Sequence, residues 1–230
     1  FFFVFIWFVN ALHEYSGMLL EGLGQTLYMS IVSTFFAYLL GLPLGILVVV
    51  TSKNGIAPKR ILNMVLGWIV NIGRSIPFII LMVALIPFTK FVVGKSIGST
   101  AAIVPLVIAA APFIARLVET SLQELDAGVI EAAKAMGASN WQIVYKVMLP
   151  ESVPSLVRGM TIALITLIGY SAMAGTVGGG GLGDLAIRYG YNRYQDDVMI
   201  LTIILLVILV QLIQVVFNVI AKKIDKKNRY

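Results

Sequence analysis

Few residues in this chain have types and spacing that could do chemistry. Gly178, Gly180 and Gly183 spell G-x-G-x-x-G. A dinucleotide site built on that pattern needs a preceding strand, a following helix and a later acidic residue. Here the glycines follow a long apolar run, so a turn or short re-entrant bend is the expectation, with glycine supplying unusual dihedrals. No G-x-x-x-x-G-K-[ST] occurs, so the chain carries no phosphate cradle of that kind. There is no cysteine and one histidine, His13. Thiol nucleophiles, disulfides and zinc-finger sites are excluded, and no His–carboxylate pairing or metal set suggests an enzyme or a cofactor. Three other features stand out. Arg74 is a charge inside an apolar run. Gly169, Tyr170, Ser171, Met173 and Gly175 gather small and polar groups in another. Residues 131–150, EAAKAMGASNWQIVYKVMLP, are charged and glycine-broken between two apolar stretches.

The elements that must position these residues are membrane spans. The 230 residues are 59% hydrophobic and 12% charged, with mean hydropathy +0.95. A soluble domain carries about twice that charge fraction. Continuous apolar runs predict an all-α polytopic membrane protein, whereas an outer-membrane barrel shows short alternating segments. Five spans are expected: 26–50, one within 61–88, 101–118, 154–177 and 198–221. The opening run FFFVFIWFVN is too short to span and lacks the basic start of a signal peptide, so residues 1–25 read as an interfacial or extracytoplasmic segment. With five spans the termini fall on opposite sides. Segments 51–60, 116–158 and 222–230 hold twelve Lys and Arg; the opposite side holds Lys90, Lys95, Arg188 and Arg193. That bias predicts an outside N-terminus, a cytoplasmic C-terminus with a basic tail at 222–230, and a cytoplasmic loop at 119–153.

The loop reads as two helices and a knuckle. Asp126 is an N-cap for a helix through Met136, and Gly137 stands where a C′ glycine ends one. Glu131 and Lys134 are an i, i+3 pair. Ser139 and Gln142 have capping-box spacing. Trp141, Val144, Tyr145 and Met148 share one face of the second helix, which Pro150 is expected to end. Ala132, Ala133 and Ala135 offer small side chains beside the glycine. Such a hairpin either just links two spans or lets another backbone approach closely.

Glu131-Ala132-Ala133, then Gly137, then Val147-Met148-Leu149-Pro150 resembles the "EAA" loop of ABC-importer permeases, with Val147 where that family usually has isoleucine. RSIPFIIL (74–81), AAPFIARLVE (110–119), LITLIGYSAMAG (164–175) and GGGGLG (178–183) look like its methionine-uptake branch. The resemblance implies a transmembrane domain over 26–221. It implies a coupling helix in which Glu131, Ala132, Ala133, Gly137, Ala138, Leu149 and Pro150 meet a cytoplasmic ATPase. It further implies two copies of the chain, two ATPase subunits, an extracytoplasmic substrate-binding protein, and alternating access for methionine or related amino acids, with no catalytic residue and no cofactor of its own. A permease for another small polar solute and a passive channel are the rivals, although a channel has no need of the loop. The Gly169–Tyr170–Ser171–Met173 cluster lines a pathway or packs helices. Arg74 either snorkels beside a break at Pro77 or takes part in gating. Gln211 and Gln214 read as helix-packing residues.

Overall fold

The computed structural model describes residues 2–224, with side chains from Asn10 onward. The tip of the basic tail, including Lys226, Lys227 and Arg229, lies outside the described residues. Among the described residues every regular element is helical. They are α1 (Phe2–Thr51), α2 (Arg60–Ser75), α3 (Phe78–Ala84), α4 (Ile86–Val93), α5 (Ser99–Gln123), α6 (Ala127–Ala135), α7 (Asn140–Gln142), α8 (Leu149–Gly175), α9 (Gly181–Leu185) and α10 (Asp196–Ile224). Two π-helical turns, Ile143–Met148 and Ala186–Tyr191, precede α8 and follow α9.

Among the described residues four stretches are long and apolar enough to cross a membrane: Asn10–Thr51, Ser99–Gln123, Asn140–Gly175 and Asp196–Ile224. The pair α2 and α3 passes the same test of length and hydropathy when taken together, as a fifth, broken span or as a re-entrant loop. All of these overlap the predicted apolar runs, but the first stretch begins at Asn10 and the third at Asn140, well before residues 26 and 154. The break is where Pro77 predicts it. Ile76 is extended (φ −85°, ψ 122°), as sterics demand before proline, and α2 stops at Ser75. α1 passes residue 25 without interruption; at about 1.5 Å per residue its 50 residues exceed a ~30 Å hydrocarbon core more than twofold.

The chain divides into two compact units. The first comprises residues up to Thr34, Pro77–Val107 and Leu164–Ile213. Its core joins Ala11, Leu19, Leu182, Leu185 and Leu201. A Cβ on Gly22 would sit 2.6 Å from Leu185 Cδ1, so α1 approaches α9 through that glycine. The second comprises Phe35–Ile76, Ile108–Ala163 and the chain from Gln214 on. There Val48, Val70 and Ala115 meet in a small core flanked by Leu44 and Leu66. Gly41 and Gly45, one helical turn apart, press α1 onto α5. Their missing Cβ atoms would stand 2.7 Å and 2.6 Å from the carbonyl oxygens of Ala111 and Ala115. This is small-residue packing of the kind that lets membrane helices touch backbone to backbone.

One expectation is corrected. Pro150 does not end the second loop helix, because helix continues from Asn140 through Gly175. The π-helical turn just before it explains why. There the bonds run five residues back, as in Leu149 N–H to Val144 O. The wider turn relieves the carbonyl that a proline ring meets in an α-helix.

Candidate functional site

The loop of the second unit is held by three devices in series. Asp126 accepts a hydrogen bond from Gly128 N–H (2.8 Å) and starts α6. Gly137, at φ +77°, ends it. Ala138 N–H donates to Ala133 O (3.1 Å) and Gly137 N–H to Lys134 O (2.9 Å), the paired bonds of a Schellman turn. Ser139 and Gln142 then close a capping box, the Ser139 N–H donating to Gln142 Oε1 at 2.8 Å. The backbone of the knuckle is thus satisfied by the loop itself.

Exposure sorts the side chains of the knuckle. Glu131, Ala132, Lys134, Ala135, Gly137 and Pro150 are exposed, and Ala138 and Leu149 half-buried. Ala133 is only 3% exposed and forms part of the floor of a groove beside Ala132, which corrects the picture of three equally outward alanines. The aromatic face divides too. Val144 and Met148 are buried, whereas Trp141 and Tyr145 are 75% and 64% exposed. Met136, beside the glycine, is 82% exposed. Asp126, Val129, Ala132, Met136 and Val147 line the same open groove of about 440 Å³. The knuckle thus combines a fixed backbone, a shallow groove and three exposed large apolar side chains.

Behind the knuckle the second unit holds polar groups that local sequence reading misses. Arg116 pairs with Glu119 (2.7 Å) and donates to Asn71 Oδ1 (2.9 Å), tying α5 to α2. Gln123 donates to Glu119 Oε1 (3.3 Å). Ser155 bonds both Ser121 (3.1 Å) and Glu124 (2.7 Å), tying α8 to α5. The i, i+3 spacing of Arg116 and Glu119 is the one signal in the sequence; Asn71, 45 positions away, has none.

In the first unit the polar cluster of α8 separates by face. Gly169 and Met173, one turn apart, are exposed, Met173 at 50%. Ser171 is buried and donates back to Ile168 O at 2.8 Å. Tyr170 is half-buried and stacks on Phe78, ring centroids 4.6 Å apart and nearly parallel. The four residues therefore do not share one surface. Arg74, on the second unit, is exposed in the last turn of α2, a favourable end of the dipole for a cation.

The glycine run is a packed turn, as the dihedral argument expects. Gly178, Gly180 and Gly181 have φ of +83°, +80° and +83°. Gly183 lies directly against the backbone of Ala172, with no room for a Cβ. The turn is fastened from α1. Gly181 N–H donates to Gln25 Oε1 (2.7 Å) and Leu182 N–H to Thr26 Oγ1 (2.9 Å). These partners are 156 residues apart, beyond any local motif.

A family model described as binding-protein-dependent transport system inner membrane component matches residues 41–230. The probable D-methionine transport system permease protein of Vibrio cholerae is 51% identical over 212 residues, 92% of this chain and 94% of that protein. The D-methionine transport system permease protein of Escherichia coli is 56% identical over 158 residues, 69% of this chain and 73% of that protein. A solved structure of the MetNI methionine ABC transporter, in an inward-facing conformation, matches with a TM-score of 0.91 at 52% identity, covering 93% of this chain and 99% of that one. This multi-pass helical chain belongs to the family of binding-protein-dependent transport system inner membrane components.

Proposed function

We propose that this chain is the permease subunit of an ATP-binding-cassette importer for methionine, D- or L-, and that it moves its substrate by alternating access. The observation that carries this reading is the match over 93% of the chain to the methionine transporter at 52% identity. The chain brings the membrane path and no nucleotide cradle. Two copies of it pair with two cytoplasmic ATPase subunits, and an extracytoplasmic binding protein delivers the solute.

The knuckle at 131–150 docks on the ATPase through Glu131, Ala132, Gly137 and Ala138, while Ala133 keeps the loop in shape from within. Leu149 and Pro150 join it to α8. Gly169 and Met173 face the pathway; Tyr170 and Ser171 hold that face in place, and Arg74 takes part in gating. Residues 26–221 form the transmembrane domain, 1–25 an extracytoplasmic or interfacial segment, and 222–230 a basic cytoplasmic tail. ATP supplies the bias between two states that the permease already has.

The excess of Lys and Arg at 51–60, 116–158 and 222–230 supports an outside N-terminus and a cytoplasmic C-terminus. The chain has no cysteine, so one placed at Ser139 is a unique label. It should resist an impermeant thiol reagent outside intact cells, and ready labelling would reverse the orientation. The function itself is tested in proteoliposomes holding permease, ATPase and binding protein. Methionine should accumulate against its gradient only with ATP. Passive equilibration without ATP would make the protein a channel.

A further inference from the structure

The turn between α1 and α2 carries three cations that none of the roles given above includes. Lys53, Lys59 and Arg60 are exposed there, next to the ends of two membrane helices. The chain has no Asp or Glu between Glu21 and Glu119. Among the described residues none of the three cations makes an ion pair or a side-chain hydrogen bond.

Their backbone is fixed. Ala57 N–H donates to Val50 O and Lys59 N–H to Thr51 O, each at 3.0 Å. Asn63 Nδ2 crosses from α2 to Val48 O (2.7 Å) and Thr51 Oγ1 (3.2 Å). Gly55 lies so close to the Val49 and Val50 carbonyls that no Cβ fits. The built turn borders a groove of about 780 Å³ lined by Thr51, Lys53, Pro58, Arg60, Asn63 and Met64. An apolar track leads away from its cationic mouth. Met64 and Trp68, a turn apart, are both exposed on α2, with Ile61 and Val65 alongside.

A cationic mouth at the end of a span, opening onto an apolar track, fits one chemistry. The phosphate of an anionic phospholipid would meet Lys53 and Arg60, and an acyl chain would lie on Met64 and Trp68. Free phosphate would fill the mouth and leave the track bare. We infer that the α1–α2 turn holds an anionic phospholipid by its headgroup at Lys53, Lys59 and Arg60. This site depends on residence in a bilayer and not on which solute is carried.

The test uses the assembled transporter in bilayers of mixed phosphatidylglycerol and phosphatidylcholine, with native mass spectrometry counting retained lipids. Phosphatidylglycerol should be retained in preference. Lys53→Gln, Lys59→Gln and Arg60→Gln together should weaken that retention roughly a hundredfold, the effect of removing three interfacial cations. Lys53→Arg with Lys59→Arg should keep it. Trp68→Ala should loosen lipid while leaving competition by inorganic phosphate unchanged. Equal retention of the two lipids by the wild type would overturn the site. Unchanged retention by the triple variant would do the same, and should that variant not assemble, the wild-type preference decides. Protection of the turn by inorganic phosphate as strong as by lipid would make it a plain anion site.

Discussion

The glycine turn of the first unit and the knuckle of the second are built from the same parts. Each uses glycine at positive φ, and each adjoins a π-helical turn. They differ in what surrounds the glycines. At Gly175, Gly179, Gly181 and Gly183 an added Cβ would strike atoms of the same unit. At Gly137 it would meet nothing within 4 Å. The first turn is filled by its own chain. The second is complete in its backbone and empty around it, the form expected of a part whose partner is another molecule. Two similar turns should therefore fail in different ways.

The largest effect is expected at Gly183. Valine there must displace the backbone of Ala172, costing upward of about 3 kcal/mol, beyond ordinary overpacking. Little folded transporter should be recovered, as read by yield and detergent melting temperature. Gly137→Val comes next. It strains a left-handed residue by roughly 1–2 kcal/mol in an uncrowded place. Insertion should be normal while ATP-driven uptake is lost and ATPase binding weakens. Normal uptake at normal expression would show that the open turn is not a coupling element, and the contrast would collapse.

A smaller effect sharpens the comparison inside the first unit. Met173→Trp, on an exposed face, should lower uptake and leave assembly with the ATPase intact. Ser171→Ala removes one local bond worth about 1 kcal/mol and should leave uptake near normal. Equal loss in both would mean the cluster acts through packing. The smallest effect belongs to Ser139→Ala, which opens the capping box at a cost of about 1 kcal/mol. It should reduce uptake mildly and leave the melting temperature almost unchanged.

How much of this the sequence carries depends on how far each cause reaches along the chain. Asp126, Gly137 and the Ser139–Gln142 box act within a few residues, and all three stand where their spacing places them. The spans are equally legible, since hydropathy is a property of each segment alone. Gln25 and Thr26 on the 181–182 turn, and Asn71 on Arg116, depend on which helices meet, and no window of sequence holds both partners. Ala133 misled for a related reason. Alanine is small enough for a crowded interior or an open knuckle, and only packing decides between them. Pro150 misled because a proline's usual consequence assumes α-helical hydrogen bonding just before it, and here the bonding is wider.

That π-helical turn at Ile143–Met148 also sets an azimuth. One residue more in a helix rotates everything before it by about 100° relative to everything after it. Trp141 lies on one side of the turn, and Ser155, anchored to Ser121 and Glu124, on the other. Losing a single residue between them would swing the indole to a new bearing and shift Val147, which lines the knuckle's groove. The same turn thus sets the direction in which the knuckle points and supplies one wall of its groove.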